Sequence, residues 1–197
     1  YQLMKQVLDT MGISYTIELM TWERCLYLLD TGEAFAVFPF IQSAERQKKY
    51  LFSDPLYNKG IQLEGFYGYT GHGRDKIELD DLDGLKDYTI GVIYGYYYLD
   101  QMKAMDLKLD LSANETECIK KLIDGKVDLV LFDRRVMDYY IHEVFQDDVT
   151  GFYATGMSFT DGMVTDHLML NRENQEAVTF LEQFNQVLKT IETETDQ

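Results

Sequence analysis

Two stretches of this chain repeat one design, and that design limits what the chain can fold into. Residues 28–38 and 121–131 each leave the end of an amphipathic helix through a glycine, Gly32 or Gly125, and enter a nearly unbroken apolar run. In the first, Ala34, Phe35, Ala36, Val37 and Phe38 continue through Pro39 to Phe40; in the second, Val127, Leu129, Val130 and Leu131 lead to Phe132. A glycine at such a point supplies the turn that stops a helix. A strand that is apolar on both sides has no face to give to water, so it belongs in a mostly parallel sheet covered by helices. The repeat, once in each half, predicts two lobes of like construction.

The surrounding pattern agrees. Leu3, Met4, Val7, Leu8 and Met11 form a helical stripe closed by Gly12, and Tyr15, Ile17 and Leu19 then alternate with Thr16 and Glu18, which predicts a strand. Thr21 is placed to cap a helix whose apolar face holds Trp22, Cys25, Leu26 and Leu29. Strands are expected over 88–93, 107–111 and 127–132, with helices over 96–105 and 114–124 between them. Asn114 with Glu117 reads as a capping box for the latter. Residues 61–70 alternate weakly into the turn at Gly71, His72 and Gly73; residues 167–171 read as a strand, and 173–191 as a helix with Phe180, Leu181, Phe184 and Leu188 on one side.

Composition removes whole classes of function. The chain has 34 acidic against 18 basic residues, a formal net charge of −16, which repels nucleic acid and anionic membrane surfaces. No run approaches the roughly 18 apolar residues of a membrane span. Its 197 residues suffice for one domain or two lobes. Cys25 and Cys118 fall in helices of different lobes, so no bridge is expected between them, since disulfide geometry needs Cα atoms within about 7 Å. The chain opens at Tyr1 inside the first helical stripe, which reads as a cut end, and targeting is not legible there.

Ser43, Arg46, Phe52, Ser53, Asp54, Pro55 and Tyr57 follow the first apolar run. This order resembles the Ser/Thr-x-x-Arg and Phe-Ser/Thr-Asp-Pro-x-Tyr motifs of bacterial extracellular solute-binding proteins of family 3, the periplasmic amino-acid-binding type. The resemblance extends along the chain through Thr21 and Trp22, then Leu82, Asp83 and Gly84, then Ile90, Gly91 and Val92, then the strand from Asp128 to Asp133. It implies the two-lobe periplasmic-binding-protein-like fold (type II). Lobe one would be residues 1–66 plus 164–197, and lobe two residues 67–163. The family's first strand, with its ligand-covering aromatic, has no counterpart in the sequence.

By the resemblance, Arg46 pairs with the ligand's carboxylate, helped by Ser43, and Asp133 accepts its ammonium. Read from the residues alone, Arg46 is a solvated charge among Gln47, Lys48 and Lys49, and Asp133 a cap for the helix after it. Trp22 is a side-chain contact by the resemblance and helix-face core by its pattern. Phe38 and Phe40 stand where polar amino-acid binders show small hydroxyl residues, which implies an aromatic wall and a less polar ligand, or core in the case of Phe38. Tyr96 and Tyr97, with Tyr98, replace the Gly-Thr-Thr that commonly holds the carboxylate from lobe two; they are expected to stack or donate hydrogen bonds, with at least one of the three packing internally.

Signals for catalysis are weak. His72, His142 and His167 are scattered without metal-ligand spacing, and no phosphate loop or dinucleotide fingerprint occurs. The resemblance implies a monomeric, cofactor-free periplasmic binder of an amino acid or similar carboxylate, with an ABC permease as partner and no nucleic acid. The same fold also serves as the sensor module of membrane signalling proteins and as a cyclohexadienyl dehydratase, and both readings stay open at this point.

Overall fold

The structure, a computed structural model, describes residues 1–56, 64–159 and 165–195. In chain order its elements are α1 (Gln2–Thr10), α2 (Trp22–Thr31), β1 (Ala36–Ile41), α3 (Ala44–Lys49), β2 (Tyr50–Phe52), β3 (Glu64–Tyr69), β4 (Thr89–Ile93), α4 (Leu99–Ala104) and β5 (Lys108–Ser112). They continue with α5 (Glu115–Ile123), β6 (Leu129–Asp133), α6 (Arg134–Tyr139), β7 (Phe152–Ser158), β8 (Asp166–Asn171) and α7 (Ala177–Thr195). Short 3-10 and π turns fill several connections. The chain divides into two units, Tyr1–Lys59 with Val164–Gln197 and Gly60–Met163. Tyr57, residues 61–63 of the weakly alternating segment, and residue 164 lie outside the described residues.

In the first unit β8 lies between β1 and β2 and is antiparallel to both. β1 and β2 thus point the same way, but the mostly parallel sheet expected for this lobe does not form, because β8 returns between them and both ladders are antiparallel. Both faces of β8 are covered. Leu168 and Leu170 pack against Met4 and Val7 of α1 and Leu181 and Phe184 of α7. Met169, on the other side of the pleat, joins Leu29 of α2 with Val37 and Phe40. The helix ends follow the sequence: Thr21 accepts a bond from the Arg24 N–H at 3.4 Å, and Gly32 stops α2 at φ 75°.

The strand expected over Tyr15, Ile17 and Leu19 does not form, and residues 13–20 belong to no ladder. Alternation records which side chains face a core, and Tyr15 and Ile17 do pack against that of α1 and α7. Leu19 is 93% exposed. A strand also needs a neighbour along its edge, and among the described residues none pairs with this segment.

The second unit has the order β5-β4-β6-β3-β7, with β5, β4 and β6 parallel and β3 antiparallel to β6 and β7. β7 was not legible in the sequence, because its residues alternate poorly between core and solvent. Half of the expected capping box forms: Asn114 accepts from the Glu117 N–H at 2.9 Å, while the Glu117 carboxylate accepts at 3.0 Å from the N–H of Ala113, one residue before the cap, instead of from that of Asn114. On one face of the sheet Ile90, Val92, Leu129 and Leu131 meet Leu99 and Met102 of α4. On the other, Gly91 lets α5 approach closely.

A Cβ on Gly91 would stand 2.9 Å from Cys118 Sγ and 3.1 Å from Val130 Cγ1. Cys118 is a free, fully buried thiol of α5 whose pKa is pushed up to about 12 by that burial, so it acts as packing rather than as a nucleophile. We expect Gly91→Ala to cost about 1–3 kcal/mol through overpacking. Adding Cys118→Ala removes the nearest clashing atom. Urea unfolding should show the double variant losing less than the sum of the two single losses.

Candidate functional site

Two groups of candidate residues lie at strand ends, one in each unit. In the first unit β1 ends at Ile41, and Ser43 caps α3 by accepting from the Arg46 N–H at 3.3 Å. This cap fixes where the arginine side chain leaves the helix. Its guanidinium Nη1 donates to the Ile41 carbonyl at 2.7 Å, and the guanidinium carbon lies 5.1 Å from the centre of the Phe40 ring. Trp22, the first residue of α2, meets the same ring edge-on at 5.2 Å. Trp22, Phe40, Ser43 and Arg46 therefore form one group, with Phe40 itself 1% exposed and acting as the floor between Trp22 and Arg46.

Phe38 is not part of this group. The β1–β8 register shifts between Val37 and Phe40, which turns Val37 and Phe40 to the α2 side and Phe38 to the side of α1 and α7. There it lines a groove of about 550 Å³ together with Tyr15, Ile17, Ala34 and Phe35. The two phenylalanines that looked like one aromatic wall thus serve opposite faces.

In the second unit the candidate residues gather where the parallel strands β4, β5 and β6 end. The Tyr96 hydroxyl donates to Glu115 Oε1 at 2.7 Å, and the Tyr97 hydroxyl to Glu64 Oε1 at 3.4 Å. Tyr98 is the internally packed member of the three, 1% exposed and donating to the Leu131 carbonyl at 2.8 Å. Asp133 closes β6 directly opposite Glu64 of β3. Its Oδ1 accepts from the Arg135 N–H at 2.8 Å and from Arg135 Nε at 3.3 Å, and its side chain is 13% exposed. Glu64 and Glu115 were not singled out in the sequence. Register would have found Glu64, which opens β3 across from a candidate acid.

Of the histidines, His167 is 4% exposed, with Nε2 at 2.7 Å from Thr165 Oγ1 and Nδ1 at 2.7 Å from the Ser53 carbonyl, a structural bridge between β8 and the segment after β2. Among the described residues no three acids, histidines or cysteines are grouped to hold a metal ion. No helix among them is long and apolar enough to cross a membrane.

Desolvation, followed by the Glu115 charge and hydrogen bond, pushes the Tyr96 hydroxyl well above its ordinary value. A phenol whose folded pKa is raised contributes stability that is fully present below the unfolded value near 10 and is lost as pH rises past it. We expect the melting temperature of Tyr96→Phe to fall less than that of the wild type between about pH 9 and pH 11, and parallel curves would exclude this contribution. Thermal melts across that range are the measurement.

No protein-family model matches the chain, and no curated protein is found similar to it. Solved structures are. An ancestral arginine-binding protein bound to arginine matches at TM-score 0.76 and 22% identity over 98% of this chain and 81% of its own. An arginine transport-system periplasmic binding protein from Legionella pneumophila matches at 0.77 and 18% over 99% and 83%. The GluR0 ligand-binding core from Nostoc punctiforme, in complex with L-glutamate, matches at 0.75 and 15% over 98% and 84%. At these identities the likeness is one of fold: the chain has the periplasmic-binding-protein-like fold, type II, in which amino-acid substrate-binding proteins of ABC transporters are built.

Proposed function

We propose that this chain is a solute-binding protein of the family 3 type that captures an amino acid or similar small carboxylate. The observation that carries the reading is Arg46, which a strand end, a helix cap and an aromatic floor hold in place in the fold of amino-acid-binding proteins. Arg46 takes the ligand carboxylate, with Ser43 beside it, because a guanidinium offers a planar pair of donors to two carboxylate oxygens. Asp133 accepts the ammonium. Trp22 supplies the apolar surface near the carboxylate, with the buried Phe40 as support behind it, and Tyr96 and Tyr97 supply hydroxyls on the second unit. Phe38, on the opposite face of β1, takes no part.

By the resemblance, capture of this kind proceeds by hinge closure, an open form giving way to a closed one. The closed form is what an ABC permease would recognise on the periplasmic side, and the ligand acts by binding that form more tightly than the open one. Micromolar affinity requires only about 8 kcal/mol, within reach of a charge-paired carboxylate, a paired ammonium and an apolar contact. The solved proteins that share the fold are named as binding proteins and a ligand-binding core, and the reading follows them in assigning capture without turnover. The likeness to the GluR0 ligand-binding core keeps the ligand-sensing module of a membrane signalling protein as the second reading, which the sequence of the full-length protein would decide.

A thermal-shift screen over the standard amino acids and other small carboxylates tests the reading. A ligand present at a hundred times its Kd should raise stability by about 2.7 kcal/mol. A screen with no shift would overturn it. For a ligand so found, Arg46→Ala should weaken binding by about 2–5 kcal/mol in calorimetry, because the buried carboxylate loses its charged partner, while the melting temperature of the free protein changes little. Equal affinity in the variant would remove Arg46 from the site.

A further inference from the structure

We propose that Arg172 is a positioning residue for Arg46, an inference that rests on the ligand role given to Arg46 above. The argument starts from α3, which is too short to hold its own shape. It spans Ala44–Lys49 and has no buried residue, so neither length nor packing fixes its direction. What fixes it is the bonding at its two ends. At the first end Ser43 caps the Arg46 N–H, and β1 supplies the Ile41 carbonyl for the guanidinium. At the second end the carbonyls of the last turn point outward without helical partners.

Arg172 supplies those partners. Its Nη2 donates to the Gln47 carbonyl at 2.7 Å and to the Tyr50 carbonyl at 3.0 Å, and its own N–H donates to the Lys49 carbonyl at 3.2 Å. The positive charge also sits at the negative end of the helix, where it is favoured. Arg172 can do this because it directly follows β8, whose Asn171 pairs with Tyr50 of β2. Asn171 extends the same arrangement to α2: its Nδ2 donates to the Leu29 carbonyl near the end of that helix at 3.3 Å. The two residues after the core of β8 thus tie down the far ends of the helices whose near ends carry Trp22 and Arg46. A tilt of α3 released at Arg172 would swing the arginine away from the Phe40 ring.

Two measurements test this, one with and one without ligand. By amide hydrogen exchange, Arg172→Ala should speed exchange at Gln47, Lys48 and Lys49 about tenfold relative to the wild type, while the amides of β8 keep their protection, and Arg172→Lys should restore part of the difference. Unchanged exchange in α3 would overturn the proposal whatever the ligand is. With L-arginine, L-glutamine or L-glutamate, whichever binds the wild type, Arg172→Ala should weaken binding about tenfold in calorimetry and do nearly nothing in an Arg46→Ala background. The same loss in both backgrounds would show that Arg172 does not act through Arg46 and would overturn the proposal. Failure of all three amino acids to bind the wild type would count against this ligand assignment and leave the exchange result to judge the clamp.

Discussion

The antiparallel ladder on either side of β8 is the interaction on which the first unit depends. β1 and β2 pair with no other strand among the described residues, so their mutual spacing is set by the strand between them. The residues of β8 from Asp166 to Leu170 are all buried, and its leucines and methionine divide between two cores. His167 adds a side-chain bond to the Ser53 carbonyl, and the Ser53 hydroxyl accepts from the Leu168 N–H at 3.0 Å. Ser53 belongs to the Phe52, Ser53, Asp54, Pro55 motif. Its structural work is to tie the chain leaving β2 to β8, which accounts for a hydroxyl at that point without assigning it to a ligand.

The charged groups of the two units are held differently, and the difference follows from their surroundings. Arg46 is half-buried against an aromatic ring, where a weakly hydrated guanidinium loses little by leaving water. The second unit instead brings carboxylates of Glu64, Glu115 and Asp133 to the ends of its strands among tyrosine hydroxyls. The formal net charge of −16 gives the molecule as a whole the same sign as this end. A field of that sign speeds the approach of cations and slows that of anions, so a ligand carboxylate gains from a local positive residue at the end of β1.

The sequence made most elements legible because their signals were local. The glycine stop at Gly32, the caps at Thr21 and Asn114, and the apolar runs of β1 and β6 each depend on a few neighbouring residues, and each formed. Failures came where the deciding partner was distant. Tyr15, Ile17 and Leu19 alternate like a strand, but no local signal reports whether a neighbour exists to pair with. Phe38 and Phe40 are two apart and should share a face, yet the register shift against β8 separates them. Glu64 gains its interest only from standing opposite Asp133, and Arg172 only from reaching α3 across more than a hundred residues of chain. Periodicity describes one element at a time, whereas a site is made of several.

Asp133 offered two readings in the sequence, helix cap or ligand acceptor, and the geometry makes them compatible. As the cap of α6 it accepts two bonds from Arg135 at one oxygen, which holds the carboxylate in a single rotamer. A group ordered in advance loses little further entropy when a cation arrives, and that saving appears directly in affinity. Arg46 follows the same logic from the other sign of charge, with one donor on the Ile41 carbonyl and its plane near Phe40. A carboxylate presents about four lone-pair positions and a guanidinium five N–H donors, so a positioning bond uses only part of either group's capacity. Capping is thus compatible with ligand contact, and a charged side chain at a strand end that also caps the next helix is a better candidate for it than one projecting into solvent.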